Sequence, residues 1–128
     1  MEELFAKITE ILRKVCPESY YSMNPRPSNE IVYPYLTFDY TSRPGDRNQE
    51  LATLEIDVFC KSKSAKEALI LEDKLKDALI FYRDLSEDLL LVFSYEYAQT
   101  IDTQVDNLHR RNITFGLGVW KRTKVYGN

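Results

Sequence analysis

Histidine, cysteine and glycine are scarce in this chain, and each scarcity closes off a kind of chemistry. The 128 residues hold one His, two Cys and four Gly. A zinc site draws three or four ligands from closely spaced Cys and His. Cys16 and Cys60 lie far apart in the sequence, and His109 stands alone, so neither a metal nor a cofactor is expected. Both thiols read as reduced side chains of a protein made in a cytosol. A phosphate loop needs a glycine-rich turn opening a helix, whereas Gly116 and Gly118 of "FGLGVW" fall inside a strand pattern. Cations are not in excess either: 17 Lys and Arg face 20 Asp and Glu for a net charge of -3, which argues against a broad phosphate-binding surface, and no specific nucleic-acid partner is expected. The most apolar run, Leu89 to Phe93, is too short to span a bilayer. The opening "MEELFAKITEILRKV" is amphipathic and charged throughout, so no signal peptide and no membrane partner are expected.

What remains is ordinary globular material. With 44% apolar and 29% charged residues the composition is not that of a disordered chain, and the length suits one domain over 1–128. Leu4, Ile8, Ile11 and Val15 share one face of a helix ended by Pro17. A Pro-rich loop or arm without periodicity occupies about 17–33. In "YPYLTFDY", Leu36, Phe38 and Tyr40 alternate with Tyr35, Thr37 and Asp39, so most of this aromatic stretch belongs to the buried face of a strand. A polar tip with a Pro44-Gly45 turn follows, and then a strand with Leu54, Ile56, Val58 and Cys60 on one face.

The spacing predicts a helix from Ser64 to Tyr82. Ser64 and Glu67 stand at capping-box spacing, and Ala68, Leu71, Leu75, Ala78 and Tyr82 form the buried stripe. A second hairpin alternates at Leu89, Leu91, Phe93, Tyr95 and Tyr97, turns through "TIDTQVDN", and returns with Ile113, Phe115, Leu117 and Val119. Gly116 and Gly118 leave the other face of that last strand low, open to close packing by a helix or a neighbouring chain. A basic tail follows from about 121. The fold expected is α+β: a mainly antiparallel four-stranded sheet of two hairpins, helices on one face, in the order helix-hairpin-helix-hairpin.

Candidates for catalysis are few. Asp102, Asp106, His109 and Arg110 form the one constellation that could serve a small-molecule enzyme, but Asp in a turn usually bonds its own backbone. A peptide- or RNA-binding module would need Tyr33, Tyr35 and Trp120 exposed on one face. The leading expectation is no enzymatic activity.

Five stretches in order, a short N-terminal helix, the Pro-rich loop into "YPYLTFDY", "LATLEIDVFCKS", "SAKEALILEDKLKDAL" and "RRNITFGLGVW", resemble the tail completion or tail terminator proteins of long-tailed bacteriophages and prophages. They span most of the chain. The chain departs from that family in a longer "SYYSMNPRPSNEIVY" arm and an acidic balance. The resemblance implies a structural protein of the virion tail, made in the bacterial host cytoplasm. Such a protein assembles with itself as a ring, usually hexameric, that caps the tail tube and helps join tail to head. Its partners are then the tail tube and head-tail connector proteins, with no cofactor. The charged residues at hairpin ends, Arg43, Asp46, Arg47, Asp102, Asp106, Arg110 and Arg111, are the candidates for the contact between subunits.

Overall fold

The computed structural model describes residues 2–44, 49–80, 82, 84–85 and 89–121. Helix α1 (Glu2–Val15) buries Leu4, Ile8 and Ile11 as the spacing predicts, adds Leu12 and Cys16, and leaves Val15 half-buried. The chain then enters β1 (Ser19–Tyr21), passes a 3-10 turn at Ser28–Glu30, and forms β2 (Tyr35–Pro44) and β3 (Gln49–Lys61). Helix α2 (Lys66–Ile80) leads to β4 (Asp84–Leu85), β5 (Leu89–Ile101) and β6 (Leu108–Lys121).

Among the described residues the sheet has six strands in the order β1-β2-β3-β6-β5-β4, not the four expected. The two long hairpins are present and meet along β3 and β6, which pair antiparallel from Gln49↔Trp120 to Lys61↔Leu108. The additions are short edge strands. β4 pairs antiparallel with β5, while β1 runs parallel to β2 at Ser19↔Leu36 to Tyr21↔Phe38. A parallel pair needs a connection of roughly a dozen residues, and the Pro-rich run after Tyr21 supplies it. The predicted arm is therefore bound to the body. Ser19 is fully buried and donates its hydroxyl to Cys16 O at 2.6 Å, and Arg26 closes on Glu18 at 2.7 Å. A three-residue strand is too short to show alternation, which is why sequence spacing misses it.

Both helices pack on one side. The residues facing them are Leu36 and Phe38, Leu54 to Cys60 in alternation, Leu91 and Phe93, and Ile113 to Val119 in alternation, nearly all fully buried. α2 departs from its predicted stripe. It buries Ala68, Leu71, Glu72, Leu75 and Leu79, while Ala78 and Tyr82 are half-buried and Tyr82 sets its ring edge-on to Phe93. Ser64 caps the helix by accepting the Lys66 N–H at 3.1 Å, but its own N–H bonds to Ser62 Oγ rather than to Glu67. In β5 the predicted alternation stops at Tyr95. A bulge between Tyr95 and Tyr97 inserts one residue and reverses the parity, so Tyr97 pairs with Thr114 on the face away from the helices and Ala98 takes the core side.

Cys16 and Cys60 are both buried and free. Burial pushes both thiols up, Cys60 to about 12 with help from the negative charge of Glu67. The Pro44-Gly45 turn, Asp46, Arg47 and the tail beyond Lys121 lie outside the described residues.

Two outcomes follow from this packing. Leu75→Ala, at a fully buried site, should lower stability in urea unfolding by about 2 to 5 kcal/mol. The thiols should resist a disulfide exchange reagent in the native state and react on unfolding. Stability should fall as pH rises above about 9, because the unfolded chain then loses a thiol proton that Cys60 keeps.

Candidate functional site

Alternation along β6 sends its two candidate arginines to opposite faces of the sheet. Arg111 points to the helix side, where its Nε donates to Glu72 Oε1 at 2.5 Å and its Nη1 to Thr100 Oγ1 at 3.0 Å. Glu72, only 4% exposed, also holds Lys76 at 3.1 Å, and the Lys76 ammonium sits 4.0 Å over the Tyr95 ring. Burial raises the Glu72 carboxyl, but the hydrogen bonds and charges of Arg111 and Lys76 outweigh that and hold it below the ordinary carboxylate value. The Glu72 bond in turn raises Lys76. A buried acid in a helix stripe is invisible to a search for apolar spacing, and only its partner on β6 explains it.

Arg110 takes the other face. Its Nε donates to Asp57 Oδ1 at 3.1 Å, a bond Asp57 shares with Asn112 Nδ2 at 3.1 Å. The guanidinium lies 5.4 Å from the Phe59 ring centre, and Phe59 stacks on Tyr35 at 4.6 Å. Tyr33 leans on Tyr35 at 5.5 Å, so these aromatic faces are turned on one another. Trp120 stands at the far end of β6 with its ring over Gly118, where a Cβ would meet it at 2.6 Å. Tyr33 and Tyr35 are thus not grouped with Trp120. Of the openings left by the glycines, one is filled by Trp120 and the other by Glu96, whose Oε2 lies 2.7 Å from where a Gly116 Cβ would be. No helix of the described residues occupies that face. A groove of about 760 Å³ crosses it, lined by Thr53, Leu51, Val92, Ser94, Glu96 and Trp120 among others.

The residues considered for catalysis do not converge. Asp102 Oδ1 accepts the Gln104 N–H at 2.8 Å in the β5–β6 turn, whose Gln104 and Asn107 have φ of 59° and 62°. Asp106 is exposed in the same turn. His109 opposes Cys60 in the ladder and donates from Nε2 to Ser62 O at 3.0 Å, since a carbonyl can only accept. Arg110 is on the opposite face from His109. Of the remaining contact candidates, Arg43 pairs with Leu51 in the ladder near the β2 end. Among the described residues no group of three or more His, Cys, Asp or Glu is arranged to hold a metal ion.

No family model matches the chain, and no curated protein matches it. Among solved structures, it is similar to a chain of the virion of the native gene transfer agent (GTA) particle. The likeness covers 85% of this chain and 84% of that one, with a TM-score of 0.63 and 17% identity. At that identity the shared property is the fold.

Glu72→Gln should destabilise the protein by about 1 to 3 kcal/mol at neutral pH, less than for a fully buried pair because the Arg111 side chain keeps 21% exposure. The wild type should also lose this stabilisation as pH falls from about 4.5 through the lowered Glu72 value, and the variant should lack that part of the acid response. Urea midpoints measured from pH 7 to 3 provide the check.

Proposed function

We propose that this protein is a structural subunit of a phage-like particle, one that caps the tail tube as a homo-oligomeric ring, hexameric when assembled, and helps join tail to head. The observation that carries the reading is the fold shared with a chain of a gene transfer agent virion over most of both chains. The resemblance of five ordered stretches to tail completion proteins supports the finer role.

The body suits such work. Among the described residues the helices cover one face of the sheet and none lies on the other, and the charged turn from Asp102 to Asp106 stands at the end of the β5–β6 hairpin. Unlike surfaces on the two flanks of a subunit allow head-to-tail contacts, which close into a ring when the rotation per subunit fits. The candidate contacts are the segment around Arg43, Asp46 and Arg47 and the turn from Asp102 to Asp106. Charged rims of this kind steer association and add little affinity each. Arg110 and Arg111 join that contact only with the guanidinium surface that Asp57 and Glu72 leave free. Reversing either arginine would break a bond within the subunit as well.

Particles produced without this protein should carry tails of uncontrolled length or lack heads, and resupplying the wild type should restore them. Arg43→Glu with Arg47→Glu should restore them less well while keeping the native circular dichroism spectrum. Electron micrographs showing normal tails joined to heads in the protein's absence would reject the tail-end role.

A further inference from the structure

The face of the sheet left bare by the helices carries a like-charge pair that has no cationic partner among the described residues. Asp39 on β2 lies directly opposite Glu55 on β3, and both are exposed. Carboxylates facing each other across a ladder repel and lower stability. Neither makes an ion pair among the described residues. The neighbour of Asp39 is the Tyr21 hydroxyl, a neutral group that leaves the charge uncompensated. One strand further on, opposite Glu55, stands Thr114, 3% exposed, whose hydroxyl oxygen has no hydrogen-bond partner. Tyr97 flanks it from β5, and the Glu96 carboxylate overhangs the adjacent Gly116. Arg110 is already neutralised by Asp57. Two carboxylates without a cationic partner among the described residues, a third beside them and an unsatisfied buried hydroxyl thus form one band across the face, adjoining the groove at Glu96.

We propose that this band receives the basic segment 121–124, "KRTK", of a second copy of the chain. The proposal rests on the oligomeric reading above and adds a contact to it. Charge supplies the complementarity: three of those four residues are cationic in a chain whose net charge is -3. Distance decides between the copy's own segment and its neighbour's. From Lys121 back to Thr114 the strand covers about 23 Å at ~3.3 Å per residue. Lys124 can lie no further than about 11 Å from Lys121 even when fully extended. The remaining gap exceeds the reach of a lysine side chain, so the cations of one copy meet the Asp39–Glu55 pair of another. An ammonium between the two carboxylates removes their repulsion, and a backbone or side-chain group of the incoming segment satisfies Thr114.

A dye-labelled peptide of sequence KRTKVYGN, titrated into the full-length protein and followed by fluorescence anisotropy, tests this. Binding should saturate at low salt and be lost near 0.5 M salt, where charges are screened within about 4 to 5 Å. Asp39→Asn with Glu55→Gln should weaken it about three- to tenfold, and the free variant should melt at a higher temperature because the repulsion is gone. Thr114→Val, which keeps the shape of the side chain, should weaken binding without lowering the melting temperature. A peptide with Glu in place of Lys and Arg should not bind. No binding at millimolar peptide overturns the proposal. So does equal weakening by Glu30→Gln with Glu67→Gln, which would reveal general charge attraction, and so does binding indifferent to the Asp39 and Glu55 changes, which would assign the segment to another surface. Particle assembly is scored separately. Headless or overlong tails without peptide binding would retain the tail-end role and remove this contact, and peptide binding with normal tails in the protein's absence would do the reverse.

Discussion

The pairing of β3 with β6 is the constraint on which the rest of the structure depends. Each strand belongs to a local hairpin, and neither hairpin alone could bury its apolar face. Joined, they set Leu54 and Ile56 against Phe115 and Ile113 in one continuous row under the helices. Side chains alternate with period two, so a slip of one residue would turn that row toward solvent and present Glu55 and Asp57 to the core. Each such side chain contributes about 1.5 to 3 kcal/mol on burial, which makes the register strongly favoured. The helix positions follow from it. α2 has only one place where Glu72 can meet Arg111, and that place is determined by the register of β6.

One-sided packing then divides the chemistry of the molecule. On the helix side, polar groups are few and satisfied by one another, as in the cluster of Glu72, Arg111, Lys76 and Thr100. On the bare side, polar and aromatic groups share the surface unevenly. Tyr35, Phe59 and Arg110 are locked together at one end and Trp120 lies on Gly118 at the other, while the band between them holds two carboxylates opposite each other in the ladder and an unsatisfied hydroxyl. A face with unspent interactions of this kind suits contact with another molecule better than exposure to solvent.

Much of the architecture was legible because period is a local property. The stripe of α1, the core rows of β2, β3 and β6 and the cap at Ser64 can each be read from a few neighbouring residues. The failures were also physical. β1 is held by bonds to β2 and by the burial of Ser19, neither of which leaves a local pattern. The bulge at Glu96 changes the facing of Tyr97 without changing the alternation in the text. On α2, Glu72 and Leu79 are buried while Ala78 and Tyr82 are half-buried, and the partner that lets Glu72 be buried, Arg111, lies on β6 far away in sequence. Charge and position at a hairpin end are visible along the chain, but Arg110 and Arg111 are held by partners that lie far away in sequence.

The sequence by itself determined the class of the fold, which residues prefer the core, and the scarcity of groups for metal or phosphate chemistry. Those properties follow from composition and from periods of 2 and 3.6 residues that need no partner to be expressed. Only the tertiary structure decided which charges are spent and which are left over. Asp57 and Glu72 are neutralised by arginines some tens of residues away, whereas Asp39 and Glu55 are brought face to face. Electrostatic energy depends on distance in space, and strand register sets that distance between residues whose separation along the chain carries no record of it.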